Sequence, residues 1–300
     1  MDMIEILKLL RFLPLPILRA LGAVLGVLLY LVLPSRRRTV QTNLSLCFPE
    51  WTDNERAQKV REVFVYFAQS FLDRSWLWHS PETLLRKRLK LVGSPEVLAG
   101  NEPTVIFAPH FVGMDVGWLA MNFFTPPRQY AGIYATQTSP LMAKWIYAGR
   151  SRHDDTHPEP RQFSHQEGVR PILKMLKEGV PLYVLPDMNY EPKDSLFVPF
   201  FGVPAATLPV LARYAKLGGA NGKPTKIVPV VTRMTKTGYE IEVQAAWENY
   251  PSGYTELALM ADTLRMNQEI ERMVKTMPAQ YYWVHRRFKD QPDGRSSPYV

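Results

Sequence analysis

The first apolar segment of the chain is long and almost free of charge. The 16 residues from Ala20 to Ser35 carry no charged side chain, and extension back to Phe12 adds only the cation Arg19. Residues 12–33 would form a helix of about 33 Å, close to the roughly 30 Å hydrocarbon core of a bilayer. The pattern predicts an apolar membrane-anchor helix within residues 1–35, followed by one further domain over residues 36–300.

Three interpretations of this segment remain open at the level of sequence. A cleaved signal peptide lacks a small-x-small cleavage site ahead of the three arginines at 36–38, and those arginines would hinder export. A buried core helix is the second interpretation. A membrane anchor, spanning the bilayer or lying in its interface, is favoured because basic residues flank the apolar stretch on both sides and would meet anionic lipid. The basic cluster after the stretch predicts that the remaining chain faces the cytoplasm.

Beyond residue 38, the spacing of apolar positions alternates between helical and strand-like. Helical spacing covers residues 53–79, 115–124, 161–178, 207–217 and 255–277, and short apolar runs typical of strands cover 104–108, 180–185, 226–234 and 239–247. Helices that alternate with strands predict an α/β fold with a mixed central sheet flanked by helices. Functional residues are then expected in loops at the carboxyl ends of strands.

The loop after the strand at 104–108 contains a histidine and an aspartate, His110 and Asp115. On one straight helix they would lie about 140° apart, and on one strand they would face opposite sides, so they meet only if the chain turns. Pro109 and Gly113 permit a turn, and Asp115 then falls near the start of the next helix. Together the pair would form a general base with its orienting acid. If the two side chains do not meet, His110 would form a hydrogen bond to a loop carbonyl and Asp115 would cap the helix.

Composition and charge narrow the function classes. Apolar residues at 46% and charged residues at 21% exclude a disordered chain, a collagen-like fibre and a multi-span membrane protein. The net charge is +8, and six basic against two acidic residues place +4 of it within the first 38 residues. This surplus indicates an anionic partner: nucleic acid, a membrane surface or a phosphorylated substrate. The single cysteine, Cys47, cannot form an internal disulfide.

The other polar patterns and motifs in the sequence do not predict a functional site. Residues 153–157, which read His-Asp-Asp-Thr-His, lie in a polar loop without a register that would aim ligands, so no metal site is predicted. Arg286, Arg287 and Lys289 resemble a nucleic-acid contact, but no nucleic-acid module accompanies them, and an anionic lipid or an acidic protein partner explains their charge better. The chain has no Gly-x-Ser-x-Gly, Walker or Gly-x-Gly-x-x-Gly motif, so a serine hydrolase, a P-loop NTPase and a dinucleotide-dependent enzyme lack support.

Several sequence blocks resemble the bacterial lipid A biosynthesis acyltransferases. They are His110-Phe111-Val112-Gly113-Met114-Asp115, Pro186-Asp187 followed by Phe197 to Thr207, and Trp283 to Lys289. Residues 43–56 look like the beginning of the same family, so the resemblance covers essentially the whole chain. It implies a glycerolipid-acyltransferase-like fold and transfer of a fatty acyl chain from acyl carrier protein to a hydroxyl of a Kdo-bearing lipid A precursor. It also implies a place at the cytoplasmic face of the bacterial inner membrane.

The resemblance assigns roles to four residues. His110 matches the base of the family and Asp115 its acidic partner, where many members have Glu. Arg150 and Asp187 match a functional arginine and a functional aspartate, which we interpret as substrate-binding. Arg150 would bind a lipid phosphate or stabilise the oxyanion, and Asp187 would hold Arg150 or the acceptor sugar.

The resemblance also implies binding partners, and two alternative functions remain open. A thioester donor is already activated, so we expect no metal and no cofactor besides the acyl-carrier-protein donor itself. The expected partners are acyl carrier protein, the lipid A precursor and the membrane, with no nucleic acid. A lysophosphatidate-type glycerolipid acyltransferase is one rival, since it shares the His-x4-Asp pattern. A non-catalytic membrane lipid-binding protein is the other.

Overall fold

The computed structural model describes residues 3–134, 139–153 and 155–299. The helices are α1 Met3–Leu9, α2 Leu15–Val32, α3 Pro34–Cys47, α4 Asp53–His79, α5 Glu82–Arg88, α6 Met114–Phe124, α7 Pro140–Arg150, α8 Val169–Lys177, α9 Val210–Leu217 and α10 Glu256–Thr276. The strands are β1 Leu89–Gly93, β2 Thr104–Phe107, β3 Ala131–Tyr134, β4 Arg161–Ser164, β5 Leu182–Val184, β6 Leu196–Phe200, β7 Val203–Thr207, β8 Lys226–Thr235 and β9 Gly238–Val243. Helices and strands alternate over much of the chain, as the apolar pattern predicts.

Within the described residues, seven strands form one mixed sheet in the order β1-β9-β8-β2-β5-β3-β4. Only β8 and β9 pair antiparallel; the other neighbours in this sheet are parallel. Successive residues of β2 enter opposite apolar clusters, with Val105 and Phe107 on one face and Ile106 on the other. Both faces of the sheet are therefore covered, which confirms the predicted mixed α/β fold with flanking helices.

The block from Phe197 to Thr207 forms a separate antiparallel hairpin of β6 and β7. Its two-residue turn is Phe201-Gly202, both with positive φ. The side chain of Arg287, which is 1% exposed, donates to the carbonyl of Ala206 at 2.8 Å and to Thr207 Oγ1 at 2.7 Å. Thr207 thus belongs to a strand, and the helix expected from residue 207 begins at Val210.

The helix predicted over residues 161–178 is wrong in its first part. Arg161–Ser164 is strand β4, which pairs parallel with β3 at the edge of the sheet. Helix α8 begins only after Gly168, whose φ of +75° and ψ of 178° break the helical path. Pairing with β3 outweighs the local helical spacing of these residues, because four backbone positions gain a strand partner.

The apolar helix α2 lies antiparallel along α4. Arg19 forms an ion pair with Asp73 at 2.8 Å, and Gly26 lies so close to α4 that a Cβ there would be 2.5 Å from Val65 Cα. The mean hydropathy of α2 is 2.2, and 22% of the helix is buried. The predicted N-terminal apolar helix is confirmed, while the division into an anchor over 1–35 and a domain over 36–300 stays a prediction.

This packing makes Arg19 important for stability. The carboxylate of Asp73 is 1% exposed and also accepts hydrogen bonds from Trp76 and Tyr239. In Arg19→Leu it would lose its cation while remaining buried, so we expect the free energy of unfolding to fall by about 3 kcal/mol. Denaturant unfolding in detergent micelles measures this change, and the exposed Arg38→Leu serves as the matched control. A free anchor helix would tolerate the extra leucine, so unchanged stability of Arg19→Leu would contradict the docking of α2 on α4.

Candidate active site

The carboxyl ends of two neighbouring parallel strands bring His110 and Asp187 together. In the register of β2 and β5, Phe107 is paired with Val184, and three residues beyond each partner lie His110 and Asp187. His110 Nδ1 lies 2.7 Å from Asp187 Oδ1, and the backbone N–H of His110 donates to Asp187 Oδ2 at 2.9 Å. One carboxylate therefore fixes both the ring and the backbone of the histidine.

The protonation of this pair follows from its surroundings. Burial raises the pKa of Asp187, but the charge that His110 carries when it is protonated, and hydrogen bonds from His110 and Tyr281, outweigh burial, so the pKa lies below its usual value. An ionised carboxylate can only accept hydrogen bonds, so Nδ1 of His110 must carry the proton. The lone pair of Nε2 is then available to take a proton from a substrate. This is the arrangement of a general base with an orienting acid.

Asp115 is not the carboxylate that His110 contacts, although the sequence predicts that pairing. Gly113 makes the predicted turn with φ +79°, and Asp115 stands in the first turn of α6, as expected. Its carboxylate, however, binds two arginines: Arg150 Nε at 2.6 Å from Oδ1 and Arg74 Nε at 2.7 Å from Oδ2. The imidazole of His110 turns to Asp187 because that carboxylate lies directly beside it at the next strand end. The expected pairing of His110 with Asp115 is thus corrected.

The expected partner of Asp187 is corrected in the same way. Asp187 contacts His110, whereas Arg150 contacts Asp115, so the expected contact of Asp187 with Arg150 is wrong. The alternative expectation, that Asp187 holds the acceptor sugar, stays a prediction. Arg150 is the last residue of α7, and the preceding Gly149 lets α7 approach α4, since a Cβ at Gly149 would lie 2.1 Å from Trp78 Cδ2. Close packing of the two helices therefore delivers Arg150 to the site.

Arg74 on α4 was not identified from the sequence as a site residue. Its guanidinium lies over the ring of Phe71 at 5.4 Å and over the ring of Trp78 at 5.5 Å. Its side chain is 18% exposed and that of Arg150 is 22% exposed, so neither is sealed from solvent. The sequence does contain a signal for Arg74. It falls three residues after Phe71, at a position where the apolar spacing of α4 predicts another apolar side chain.

His110, Asp115 and Arg150 line one cavity of about 410 Å³. This volume is within the range of small-molecule pockets. Most of its remaining lining is apolar or aromatic: Met114, Trp118, Ile133, Tyr134, Tyr183, Val184, Leu185, Met188, Tyr190, Leu208, Val210, Tyr214 and Tyr282. A polar reacting group at one wall and an apolar interior suit a substrate with a long hydrocarbon part.

The segment from 280 to 289 contacts the loops that follow β2 and β5. The backbone N–H of Tyr282 donates to the carbonyl of His110 at 2.9 Å. Nε2 of His285 accepts the backbone N–H of Asn189, two residues after Asp187, at 2.8 Å. Burial lowers the pKa of His285 to about 3, with further lowering by the charges of Arg287 and His110, so its ring is neutral and can accept. This sequence block therefore helps to position the loops around His110 and Asp187.

Comparison with known proteins gives this geometry a context. The family model of the bacterial lipid A biosynthesis acyltransferases matches residues 3–290. The chain belongs to this family. It is 28% identical to the lipid A biosynthesis palmitoleoyltransferase of Escherichia coli K12, over 96% of this chain and 90% of that protein. It is 27% identical to the lauroyltransferase of the same organism, over 99% and 93%.

The family membership establishes acyl transfer in lipid A biosynthesis as the class of activity. Among solved structures, the 1-acyl-sn-glycerophosphate acyltransferase PlsC from Thermotoga maritima resembles the chain with a TM-score of 0.39 at 14% identity. That match covers 89% of this chain and 99% of PlsC.

Other candidate chemistry in this family member lies away from the cavity. Among the described residues, no group of three His, Cys, Asp or Glu side chains is placed to hold a metal ion. Asp154, part of the His-Asp-Asp-Thr-His run, lies outside the described residues. Cys47 is buried, and burial raises the pKa of its thiol well above the usual value, so the thiolate needed of a nucleophile is disfavoured.

The two arginines around Asp115 give this acyltransferase a measurable acid sensitivity. Burial raises the pKa of Asp115, but Arg150 and Arg74 outweigh burial and lower it to about 2, against about 3.9 in an unfolded chain. Because the folded-state value is depressed, the stabilisation is present above pH 3.9 and is lost as pH falls towards 2. We expect a loss of about 2 kcal/mol between pH 5 and pH 2. Guanidinium unfolding measures it, and an Asp115→Asn chain with the same pH slope would contradict the assignment.

Proposed function

We propose that the chain transfers a fatty acyl group from acyl carrier protein to a hydroxyl of a Kdo-bearing lipid A precursor, with His110 as the general base. The observation that carries this proposal is that His110 lines a largely apolar cavity and is held from behind by the buried carboxylate of Asp187. The pair fixes the tautomer that leaves Nε2 free to accept a proton. No metal or other cofactor is needed, because the acyl thioester is itself activated.

The proposed reaction is a direct transfer. The acceptor hydroxyl attacks the thioester carbonyl while its proton passes to His110 Nε2, and the negative charge of Asp187 stabilises the imidazolium that forms. The tetrahedral intermediate then collapses, the carbon–sulfur bond breaks, and the leaving thiolate takes the proton from Nε2. The products are an ester on the lipid and the free thiol of the carrier, and His110 returns to its starting state.

The arginines supply the positive charge that such substrates require. Among the described residues, Arg74 and Arg150 share the carboxylate of Asp115, so these three side chains carry a net positive charge beside the cavity. Arg36 adds a further cation nearby, since its charge and that of Arg74 both act on Tyr282, whose ring lies 5.9 Å from the ring of His110. This charge suits a lipid phosphate, or the oxyanion of the tetrahedral intermediate. In this assignment Asp115 positions the two arginines.

We place the reaction at the cytoplasmic face of the bacterial inner membrane. Support comes from the apolar helix α2 together with the arginines at 36–38 that follow it. The acceptor is a membrane lipid, whereas acyl carrier protein is a soluble donor, so an enzyme at that surface meets both. Nucleic acid is not part of the proposal.

The test supplies both substrates to the purified full chain in detergent. Acyl carrier proteins loaded with chains of 10 to 16 carbons are incubated with a tetraacylated Kdo-bearing lipid A precursor, and products are read by mass spectrometry. We expect the precursor to gain the mass of one acyl chain. Transfer to lysophosphatidate alone would favour the glycerolipid acyltransferase, and binding without transfer to either acceptor would favour a lipid-binding protein.

A further inference from the structure

Helix α2 has one face that nothing in the described chain covers. Ile17, Leu21, Val24, Leu28 and Leu31 recur at spacings of three and four, and each side chain is between 45% and 61% exposed. Phe12, just ahead of the helix, is 69% exposed. We call these six residues the apolar stripe. So much contiguous exposed apolar surface marks an interaction site.

The opposite face of α2 is committed to the protein body. A Cβ at Gly22 would lie 2.8 Å from Gln69 Cα, so Gly22, like Gly26, permits backbone contact between α2 and α4. Arg19 is bound to the buried carboxylate of Asp73 at 2.8 Å. If α2 crossed a bilayer alone, this ion pair would have to break and Arg19 would enter hydrocarbon, which is costly. If α4 crossed with it, several charged residues of α4 would enter hydrocarbon.

We propose that α2 does not span the membrane but lies in the plane of one leaflet, with the apolar stripe in the lipid and the glycine face on α4. The occupant of the stripe is then an anionic phospholipid surface. Lys8 and Arg11 precede the helix and the arginines at 36–38 follow it, so cations stand at both ends of the stripe. A helix with an apolar lipid face and flanking cations is suited to the headgroup boundary.

This placement brings the reacting site to the lipid surface. Helix α4, on which α2 packs, also forms part of the site. Its Arg74 binds Asp115, and the ring of its Phe67 lies 6.0 Å from the ring of Tyr282. An acceptor lipid could then reach His110 while its acyl chains stay in the leaflet. This consequence rests on the proposed function, whereas the placement of α2 itself does not, so the tests read membrane geometry and not activity.

Cysteine labelling distinguishes the two placements. Lys8→Cys and Arg38→Cys lie beyond the two ends of α2, and the parent chain, in which Cys47 is buried, gives the background labelling. A membrane-impermeant maleimide is applied to spheroplasts and to inverted inner-membrane vesicles. We expect both cysteines to react only in inverted vesicles. Reaction of Lys8→Cys in spheroplasts but not in inverted vesicles would show a spanning helix and overturn the proposal.

Vesicle binding tests the stripe itself. Val24→Glu/Leu28→Glu places two charges in the stripe, whereas Leu257→Glu/Met260→Glu places two charges on exposed apolar residues of α10 and is the matched control. With vesicles of phosphatidylglycerol and phosphatidylethanolamine, we expect the stripe variant to lose at least about tenfold in partitioning and the control to bind as the parent does. Equal binding by both variants would overturn the proposal. So would loss of a dimer in the stripe variant while vesicle binding persists, since the stripe would then join two copies.

Discussion

His110→Gln is expected to lower kcat by roughly 10²- to 10⁴-fold, because it removes the proposed general base for the acceptor hydroxyl. Glutamine keeps an amide that can donate to Asp187, so the loop after β2 retains its principal contact. The KM for the donor should change little, since the amide fills much of the space of the ring. Steady-state kinetics of acyl transfer measure the loss, and circular dichroism with thermal unfolding shows that the fold persists.

A second histidine controls for this substitution. His153 is exposed, and its Nδ1 lies 2.9 Å from the carbonyl oxygen of Ser151. His153→Gln should therefore keep kcat within about twofold of the parent, as expected of a surface change. If His110→Gln retains most of its activity, His110 is not the base, and a bound lipid or a different side chain must assume that role.

The long helices were predictable because local and tertiary signals agree in them. Helix α4 occupies Asp53–His79, the bounds expected from its apolar spacing. Its start is fixed by a capping box in which Thr52 and Glu55 satisfy each other's backbone N–H groups. Helix α10 likewise begins after the capping Thr255. Where side chains specify the terminus and spacing specifies the buried face, the chain alone is sufficient.

The short edge elements were not predictable in this way. Strand β4 has four residues and gains its backbone partners only from β3, so nothing local distinguishes it from a helix start. The hairpin of β6 and β7 contains Pro199 and Pro204, which disfavour strand interiors. In the structure these prolines face each other across the hairpin, outside the main sheet. The partner of β4 is distant in sequence, and so is Arg287, whose side chain holds the hairpin. The local pattern of apolar and polar residues does not contain these contacts.

The candidate site was partly predictable. His110 and the turn at Gly113 follow from the sequence, but the partner of His110 depends on which strands are neighbours. Because β2 lies beside β5, the carboxylate three residues beyond β5 reaches the imidazole, and Asp115 is left to the arginines. Strand order is a property of the whole fold. A short spacing such as His-x4-Asp therefore indicates the chemistry of a loop more reliably than its contacts.

Asp187→Asn is expected to reduce kcat about as severely as His110→Gln, by roughly 10²- to 10⁴-fold. The amide of asparagine can donate to Nδ1, which would move the imidazole proton to Nε2 and block the lone pair that accepts the substrate proton. The charge that stabilises the imidazolium is also lost. Kinetics of the purified variant measure the effect, and the exposed Asp194→Asn is the matched control on the same stretch of chain.

The double variant His110→Gln/Asp187→Asn tests whether the two residues act as one unit or contribute to kcat independently. If Asp187 acts through His110, then Asp187→Asn adds little to the defect of His110→Gln, because residues that act as a unit are non-additive. Asp115→Asn differs in kind: it should weaken binding by releasing Arg74 and Arg150, and it should do so whether or not His110 is present. A double variant whose defect equals the product of the two single defects would place Asp187 outside the proton-transfer step and return Asp115 to consideration as the acid.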